Sequence, residues 1–482
     1  MQVRQYRMLI GGTFRDARGG KTLDAVNPAT GEVFAQFPRG GSEDVDDAVT
    51  VASAAFPTWW AAAPLERAAA LESLASVITE HAEEFAMLDV IDNGSPLREM
   101  RKDAHNAARL LRYFAGVVFE QRGDTIPGLP GRLNYTLRHP FGVVGRIIPF
   151  NHPLMFAAGK IGAPLIAGNA VVLKPSEHTS VSALRLGELA AEIFPPGVLN
   201  VVTGLGSDVG DALVTHPAVR RIAFTGSAQI GRSIQARAAS EVVKTVTLEL
   251  GGKNPVVVFP DADLDRAVEG AVRGMNFTWQ GQSCGSTSRL LVHRSLHDEF
   301  VERLSRAVGA LRTGPPTSEG TDVGSIVHRA QFDKVMSYLK VAAEEGLHLV
   351  VGGRAPDDPE LTGGLFVLPT VYDDVPSSSR LMREEIFGPV LVVVPFDDYG
   401  DAIRIANDVA YGLTASVFTR DLSTALAFAR DVEAGYVWVN DVSAHFLATG
   451  FGGLKDSGVG REESLDEVLS YTQSKNVNVL FD

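Results

Sequence analysis

The chain has 482 residues, of which 45% are hydrophobic and 21% charged, and its formal net charge is −14. That length suits two or three domains with sizeable cores, and the acidic balance disfavours a nucleic-acid-binding surface. No apolar run is long enough to span a bilayer, residues 1–20 carry Arg4, Arg7, Arg15 and Arg18 with no apolar leader core, and there is one cysteine, so a cytoplasmic protein without a membrane partner is expected. In chain order, Asn27-Pro-Ala-Thr-Gly-Glu32 reads as a tight turn between two early strands. Residues 43–90 are alanine-rich, with helical spacing at Val45, Ala48, Val49 and Ala52, and a second helical stretch runs from Glu99 to Phe119. Gly123 to Arg132 is a Pro/Gly-rich break, followed by strands at Leu133–Leu137 and Val143–Ile148. Short apolar runs at Val171–Leu173, Val198–Val202 and Ile222–Phe224 alternate with helical segments, as buried parallel strands do. The alternation resumes at Pro255–Phe259, Leu290–Val292 and Val390–Val394. No internal repeat interrupts it. The predicted class is α/β, two doubly wound parallel-sheet halves meeting near residue 250.

Five places on this framework carry chemistry. Cys284 lies in Gly281-Gln-Ser-Cys-Gly-Ser286, where small neighbours let another molecule reach its sulfur. A lone thiol forms no intramolecular disulfide and no multi-cysteine metal site; a buried, inert cysteine is the ordinary alternative. Asn151 sits between Pro149 and Pro153 in Pro149-Phe-Asn-His-Pro153, a stiff turn from which its amide can donate to a developing oxyanion; an ordinary turn asparagine is the alternative. Lys174 and Glu177 follow the strand Val171–Leu173, at the edge where open parallel sheets bind ligands, and can hydrogen-bond ribose hydroxyls unless they are a solvated loop pair. Phe224-Thr-Gly-Ser227 reads as strand, glycine turn and helix start, which presents a helix N-terminus to a pyrophosphate; as a generic motif it is weak. Glu249, before Gly251 and Gly252, is placed to activate water against a thioester, or is a surface glutamate at a domain junction.

Together these segments resemble the NAD(P)-dependent aldehyde dehydrogenase superfamily. The resemblance runs from Asn27-Pro-Ala-Thr-Gly to Gly458-Val-Gly-Arg461-Glu462, with Glu384-Glu-Ile-Phe-Gly-Pro389 and Phe451-Gly-Gly-Leu-Lys-Asp-Ser-Gly458 as downstream markers. It implies that Cys284 attacks the aldehyde to form a thiohemiacetal, that Asn151 and the Cys284 N–H stabilise the oxyanion, and that Glu249 hydrolyses the resulting thioacyl enzyme. Lys160 matches a lysine the family uses near the site. NAD is the implied cofactor, with Ile147, Pro149, Phe150, Lys174, Ser176, Glu177, Gly206, Phe224, Thr225, Gly226, Ser227, Ile230, Leu250, Glu385 and Phe387 as its contacts. A carboxylate at Glu177 repels a 2′-phosphate and favours NAD over NADP. The resemblance also implies a cofactor domain from 1–121 and 141–250, a catalytic domain from 251–462, and a β extension from 122–140 and 463–482 that joins subunits into a dimer or tetramer. The alternating tail Asn476-Val-Asn-Val-Leu480 suits pairing across a dimer.

The departures bear on substrate. The family usually has tryptophan where this chain has Phe150, and a bulky aromatic is common at Gly159, so a widened tunnel is expected there. The implied tunnel positions are Asn106, His152, Met155, Gly159, Thr278, His445 and Phe451. Arg109, one helical turn from Asn106, pairs with a substrate carboxylate if it points inward and is otherwise a solvated surface arginine. Pro-Phe-Asn-His-Pro with Gly159 resembles the branch that includes 2-carboxybenzaldehyde dehydrogenase, which implies an aromatic or cyclic aldehyde carrying a hydroxyl or carboxylate. The rival is an aliphatic semialdehyde or aminoaldehyde. A CoA-acylating enzyme typically lacks the base that Glu249 supplies. A cysteine hydrolase needs a histidine partner, for which His152 and His445 are candidates by chain position alone.

Overall fold

The computed structural model describes residues 3–481. An eight-stranded sheet carries the first half of the chain. From one edge its strands are Gly458–Val459, Thr245–Leu250, Val219–Gly226, Val143–Ile147, Ala170–Lys174, Leu199–Val201, Met8–Ile10 and Thr13–Arg15. The central five are parallel and buried on both faces, which is why they read as unbroken apolar runs. From Val143–Ile147 the chain steps outward one way to Ala170–Lys174 and Leu199–Val201, then crosses back to Val219–Gly226 and Thr245–Leu250. That reversal is a topological switch point, and the crevice it opens lies at the carboxyl ends of the strands.

A seven-stranded sheet carries the second half, in the order His348–Val351, Thr370–Asp373, Val390–Phe396, Arg289–His293, Pro255–Val258, Thr414–Phe418 and Tyr436–Val439. All its pairings are parallel except the one at the His348–Val351 edge. The change from one sheet to the next falls between Leu250 and Pro255. Late in the chain, however, Gly458–Val459 returns to the first sheet, pairing Leu248 with Val459 and Glu249 with Gly458. The pairing also fixes the backbone under Glu249.

The alanine-rich stretch read as one helical region is three helices, Ser42–Ala61, Pro64–Glu80 and Ala82–Asn93. Pro64 opens the second, where its missing N–H costs nothing, and the extended backbone of Ala62 ends the first. Gly94 closes the third in a left-handed conformation (φ 86°). Helix Leu97–Gly116 follows, packed between the helices Pro64–Glu80 and Pro153–Ile166. The tail strand Thr472–Leu480 pairs along its whole length with Arg132–Pro140 of the same chain, and Thr125–Ile126 adds a short third strand. No helix among the described residues is long and apolar enough to cross a membrane.

Candidate active site

Cys284 and Glu249 line one cavity of about 850 Å³. Cys284 is half-buried in the loop that leads to the strand Arg289–His293, and Glu249 is buried at the carboxyl end of Thr245–Leu250. Asn254 pins the cysteine loop, its Nδ2 donating to the carbonyls of Cys284 (2.8 Å) and Ser286 (3.0 Å). The turn before it is strained, with Asn276 and Gln280 in left-handed backbone (φ 53° and 55°). Burial pushes the Glu249 carboxyl up to about 8, only partly offset by the Lys160 ammonium, and one of its oxygens has no partner among the described residues. Burial, then the Glu249 carboxylate within hydrogen-bonding reach, raise the Cys284 thiol well above its ordinary range. A thiol and a desolvated carboxyl thus lie side by side at the wall of the cavity.

Asn151 is buried directly after the strand Val143–Ile147, and its side chain makes no hydrogen bond among the described residues. Its turn is held from below, because Asn93 Nδ2 donates to the Phe150 carbonyl at 2.7 Å. Lys160, on helix Pro153–Ile166, is buried with its ammonium on Glu462, which also takes a hydrogen bond from Arg146 Nη2 at 2.5 Å. Burial opposes the charge of Lys160, but Glu462 outweighs it and the amine is held above its ordinary range. Glu462 itself is pulled down to about 2, the two cations overcoming its burial.

The crevice at the switch point gathers most of the expected cofactor contacts. Ile147, Lys174 and Gly226 end three adjacent parallel strands. Lys174 is buried and its Nζ lies 2.9 Å from Glu177 Oε2. Burial pushes the Glu177 carboxyl up, but Lys174 holds it below the usual carboxylate range. Gly206 N faces the other Glu177 oxygen at 3.5 Å. Ser227 caps helix Ala228–Ala238 by accepting from Ile230 N at 3.4 Å, and a Cβ at Gly226 would meet the Phe224 ring at 2.5 Å. Thr225 is buried with its hydroxyl unpartnered among the described residues, and Ser176 is buried in the loop that follows Lys174. Leu250 packs against Gly231 of the same helix. Across the cleft, Glu385 Oε1 accepts from Gly252 N (3.0 Å). Phe387 takes a left-handed backbone (φ 58°), its carbonyl accepts from Gln331 Nε2 (2.8 Å), and its ring meets Phe150 edge-on at 5.7 Å. Phe150, after Pro149, thus links the two halves of the cleft.

Of the seven expected tunnel residues, Asn106, His152, Met155, Thr278, His445 and Phe451 line the cavity. Gly159 does not, and the expected widening is corrected: a Cβ there would meet Leu110 Cδ1 at 2.7 Å, so helix Leu97–Gly116 already fills the space. Leu110, not Gly159, meets the cavity. Arg109 is exposed yet lines the same cavity, and its guanidinium donates to Asn106 Oδ1 at 3.3 Å. Sequence reasoning gave no role to Phe156, Trp279 and Trp438, which supply much of the aromatic wall, or to Asp103 and Glu463, which hold the two cavity histidines. Asp103 carried a usable signal, since it stands one helical turn before Asn106 on the same face. The others come from separate segments that only the tertiary fold brings together.

The model of the aldehyde dehydrogenase family matches residues 14–477. The chain belongs to the aldehyde dehydrogenase family. It is 44% identical over 463 residues to the aldehyde dehydrogenase tropH of Talaromyces stipitatus, covering 95% of this chain and 90% of that one. Hydroxyisobutyraldehyde dehydrogenase of Mycolicibacterium austroafricanum is 41% identical over 473 residues, covering 98% and 93%. Among solved structures, PnpE from Pseudomonas sp. WBC-3 in complex with nicotinamide adenine dinucleotide superposes with a TM-score of 0.97 at 40% identity, covering 100% of this chain and 98% of that one. The aldehyde dehydrogenase framework therefore extends across both sheets and the tail strand.

Proposed function

We propose that this aldehyde dehydrogenase oxidises an aromatic or cyclic aldehyde, carrying a hydroxyl or carboxylate, to the carboxylic acid with NAD. The observation that carries the chemistry is the juxtaposition of Cys284 and Glu249 in one cavity beside the switch-point crevice. Cys284 Sγ adds to the aldehyde carbon, and its proton passes to Glu249, the carboxylate within reach. Asn151 Nδ2 and the Cys284 N–H stabilise the oxyanion that forms. Lys160, held cationic by Glu462, adds positive potential beside Glu249. Bound NAD supplies the acceptor for the hydride that the tetrahedral carbon gives up, which leaves a thioester on Cys284. Glu249 first releases that proton to solvent, then takes one from water as the water oxygen attacks the thioester; the C–S bond breaks, the proton returns to the Cys284 thiolate, and the acid leaves.

NAD fits the residues present. Lys174 and Glu177 stand at the sheet edge for ribose hydroxyls, the N-terminus of helix Ala228–Ala238 behind Ser227 faces the place of a pyrophosphate, and Glu385 and Phe387 close the nicotinamide end. The anionic Glu177 selects against a 2′-phosphate. Ring aldehydes suit a cavity walled by Phe156, Trp279, Trp438 and Phe451. The second reading, an aliphatic semialdehyde or aminoaldehyde, draws on the hydroxyisobutyraldehyde dehydrogenase relative and on Glu269, a cavity carboxylate with no ion-pair partner among the described residues. NADH formation across benzaldehyde, its carboxylated and hydroxylated forms, succinate semialdehyde and short alkanals, with NADP in parallel and Cys284→Ser as control, tests the reading. Cys284-dependent turnover of ring aldehydes supports it; turnover of small aldehydes alone overturns the ring assignment and keeps the mechanism.

A further inference from the structure

Two histidines line the cavity, and each is held by a carboxylate on the same ring nitrogen. His152 Nδ1 lies 2.7 Å from Oδ2 of Asp103, whose side chain is 3% exposed. His445 Nδ1 lies 3.0 Å from Glu463 Oε2. A carboxylate only accepts, so Nδ1 carries the proton in both pairs and the state of Nε2 is what the cavity sees. Neither Nε2 has a hydrogen-bond partner among the described residues, and both side chains keep accessible surface, 13% for His152 and 42% for His445. Each ring is also wedged among aromatics that fix its plane: His152 between Phe156 (5.1 Å) and Trp279 (5.6 Å), and His445 against Phe451 (4.7 Å).

We propose that His152 and His445 select the substrate by hydrogen-bonding a hydroxyl group on it, with Asp103 and Glu463 as positioning residues that set which ring nitrogen is free. This rests on the aldehyde dehydrogenase reading and names the second functional group of its substrate. A neutral imidazole whose Nδ1 is committed offers Nε2 as an acceptor, and a hydroxyl is the group that donates to it. An aldehyde without that donor leaves Nε2 desolvated and unpaired among aromatic rings, which is how a polar site rejects an unsubstituted analogue. The Glu463 carboxylate, outweighing burial, raises the His445 pKa, and Glu249 adds to this while Lys160 opposes it. A hydroxyl serves His445 in either state, since a neutral Nε2 accepts its proton and a protonated Nε2–H donates to its oxygen. Arg109 at the same cavity is the competing anchor, and it would choose a carboxylate instead.

The test is the ratio of kcat/KM within matched pairs, in which both members are assayed on the same preparation so that any unfolded fraction cancels. The pairs are 3- and 4-hydroxybenzaldehyde against benzaldehyde and against their methoxy ethers, 2-carboxybenzaldehyde against benzaldehyde, and 4-hydroxybutanal against butanal. Wild type is expected to favour the hydroxylated member by about tenfold or more. His152→Phe and His445→Phe, which keep an aromatic ring, bring that ratio towards one. Asp103→Asn replaces a group that only accepts by an amide that both donates and accepts, so Nδ1 is no longer fixed as the protonated nitrogen and discrimination against the methoxy ether falls while the enzyme's melting temperature reports its fold. No hydroxyl preference in wild type, or one that survives both phenylalanine variants, overturns the proposal. A dominant carboxyl preference, lost in Arg109→Gln, overturns it in favour of Arg109. Turnover confined to the butanals removes the ring assignment alone, and the 4-hydroxybutanal ratio then decides the hydroxyl.

Discussion

Glu249 is asked to accept a proton twice in one turnover, and its surroundings set when it can. Burial holds its carboxyl up to about 8, so the base form is the minority at pH 7 and grows as pH rises through that value. A steady-state rate limited by thioester hydrolysis is therefore expected to climb between about pH 7 and 9 and then level off. In Glu249→Gln the climb disappears and steady-state turnover falls by about 10²-fold or more. Stopped-flow measurement of NADH separates the steps: a retained burst with slow turnover places Glu249 in hydrolysis, whereas a lost burst places it in activation of Cys284 as well. Glu177 makes a second expectation at this scale. Its carboxylate is held ionised by Lys174, so Glu177→Gln removes a repulsion against a 2′-phosphate and raises kcat/KM for NADP relative to NAD by about tenfold. An unchanged cofactor ratio would show that something other than this charge sets the preference.

Elements matter here chiefly through what they lock together. Arg146 on the strand Val143–Ile147, Lys160 on helix Pro153–Ile166 and Glu462 in the late segment form one buried ion cluster. Glu462→Gln leaves two cations buried without their counter-charge, a loss of about 3–5 kcal/mol that thermal or urea unfolding reads directly. The pH dependence follows from the sign of the shift. Glu462 is depressed to about 2 from an ordinary 4.5, so its contribution is complete at neutral pH and lost as pH falls through that window. The sequence exposed less of this than of the strands. Val171–Leu173 and Ile222–Phe224 announced themselves because a strand buried on both faces must be apolar throughout. Cys284, Glu249, Asn151, Lys174 and Ser227 stood out because each sits beside glycine or proline or at a strand end, where local backbone chemistry marks a site. Asp103, Glu463 and Leu110 carry no such mark. Gly159 misled because the room vacated by a missing side chain was taken by Leu110, from a helix tens of residues away in sequence. Leu110→Ala is accordingly the change that enlarges the cavity, and it should raise kcat/KM for naphthaldehyde relative to benzaldehyde by about tenfold.

At the scale of the whole molecule, the three-stranded extension is built in a way a lone subunit does not explain. Thr472–Leu480 pairs on one side only, leaving a long outer row of backbone N–H and C=O groups, and edges of that length are ordinarily covered or blunted. Beside the charges of Lys475, Arg132 and Arg138 it carries apolar surface: Leu137, Leu480 and Phe481 are about half exposed or more, and Leu129 and Ile126 lie exposed on the same extension. Apolar side chains gathered around an open edge suit a contact with another protein. A second copy of the same chain meets the need most simply, since a two-fold axis brings identical edges together with self-complementary side chains. The expected outcome is a dimer or larger assembly in sedimentation velocity at micromolar concentration. Leu137→Glu with Leu480→Glu places like charges on both faces of that contact, and should weaken self-association by about 10²-fold and shift the population towards the monomer. A wild-type enzyme that sediments as a monomer would remove the assembly outright, and an assembly indifferent to the double substitution would place its contact elsewhere on the molecule. The residues proposed for the site, Cys284, Glu249, Asn151 and the Lys174–Glu177 pair, all come from one chain. An assembly through this edge is expected to act on the enzyme by fixing the extension that carries Arg132–Pro140, which leads into the strand Val143–Ile147 and the Asn151 turn.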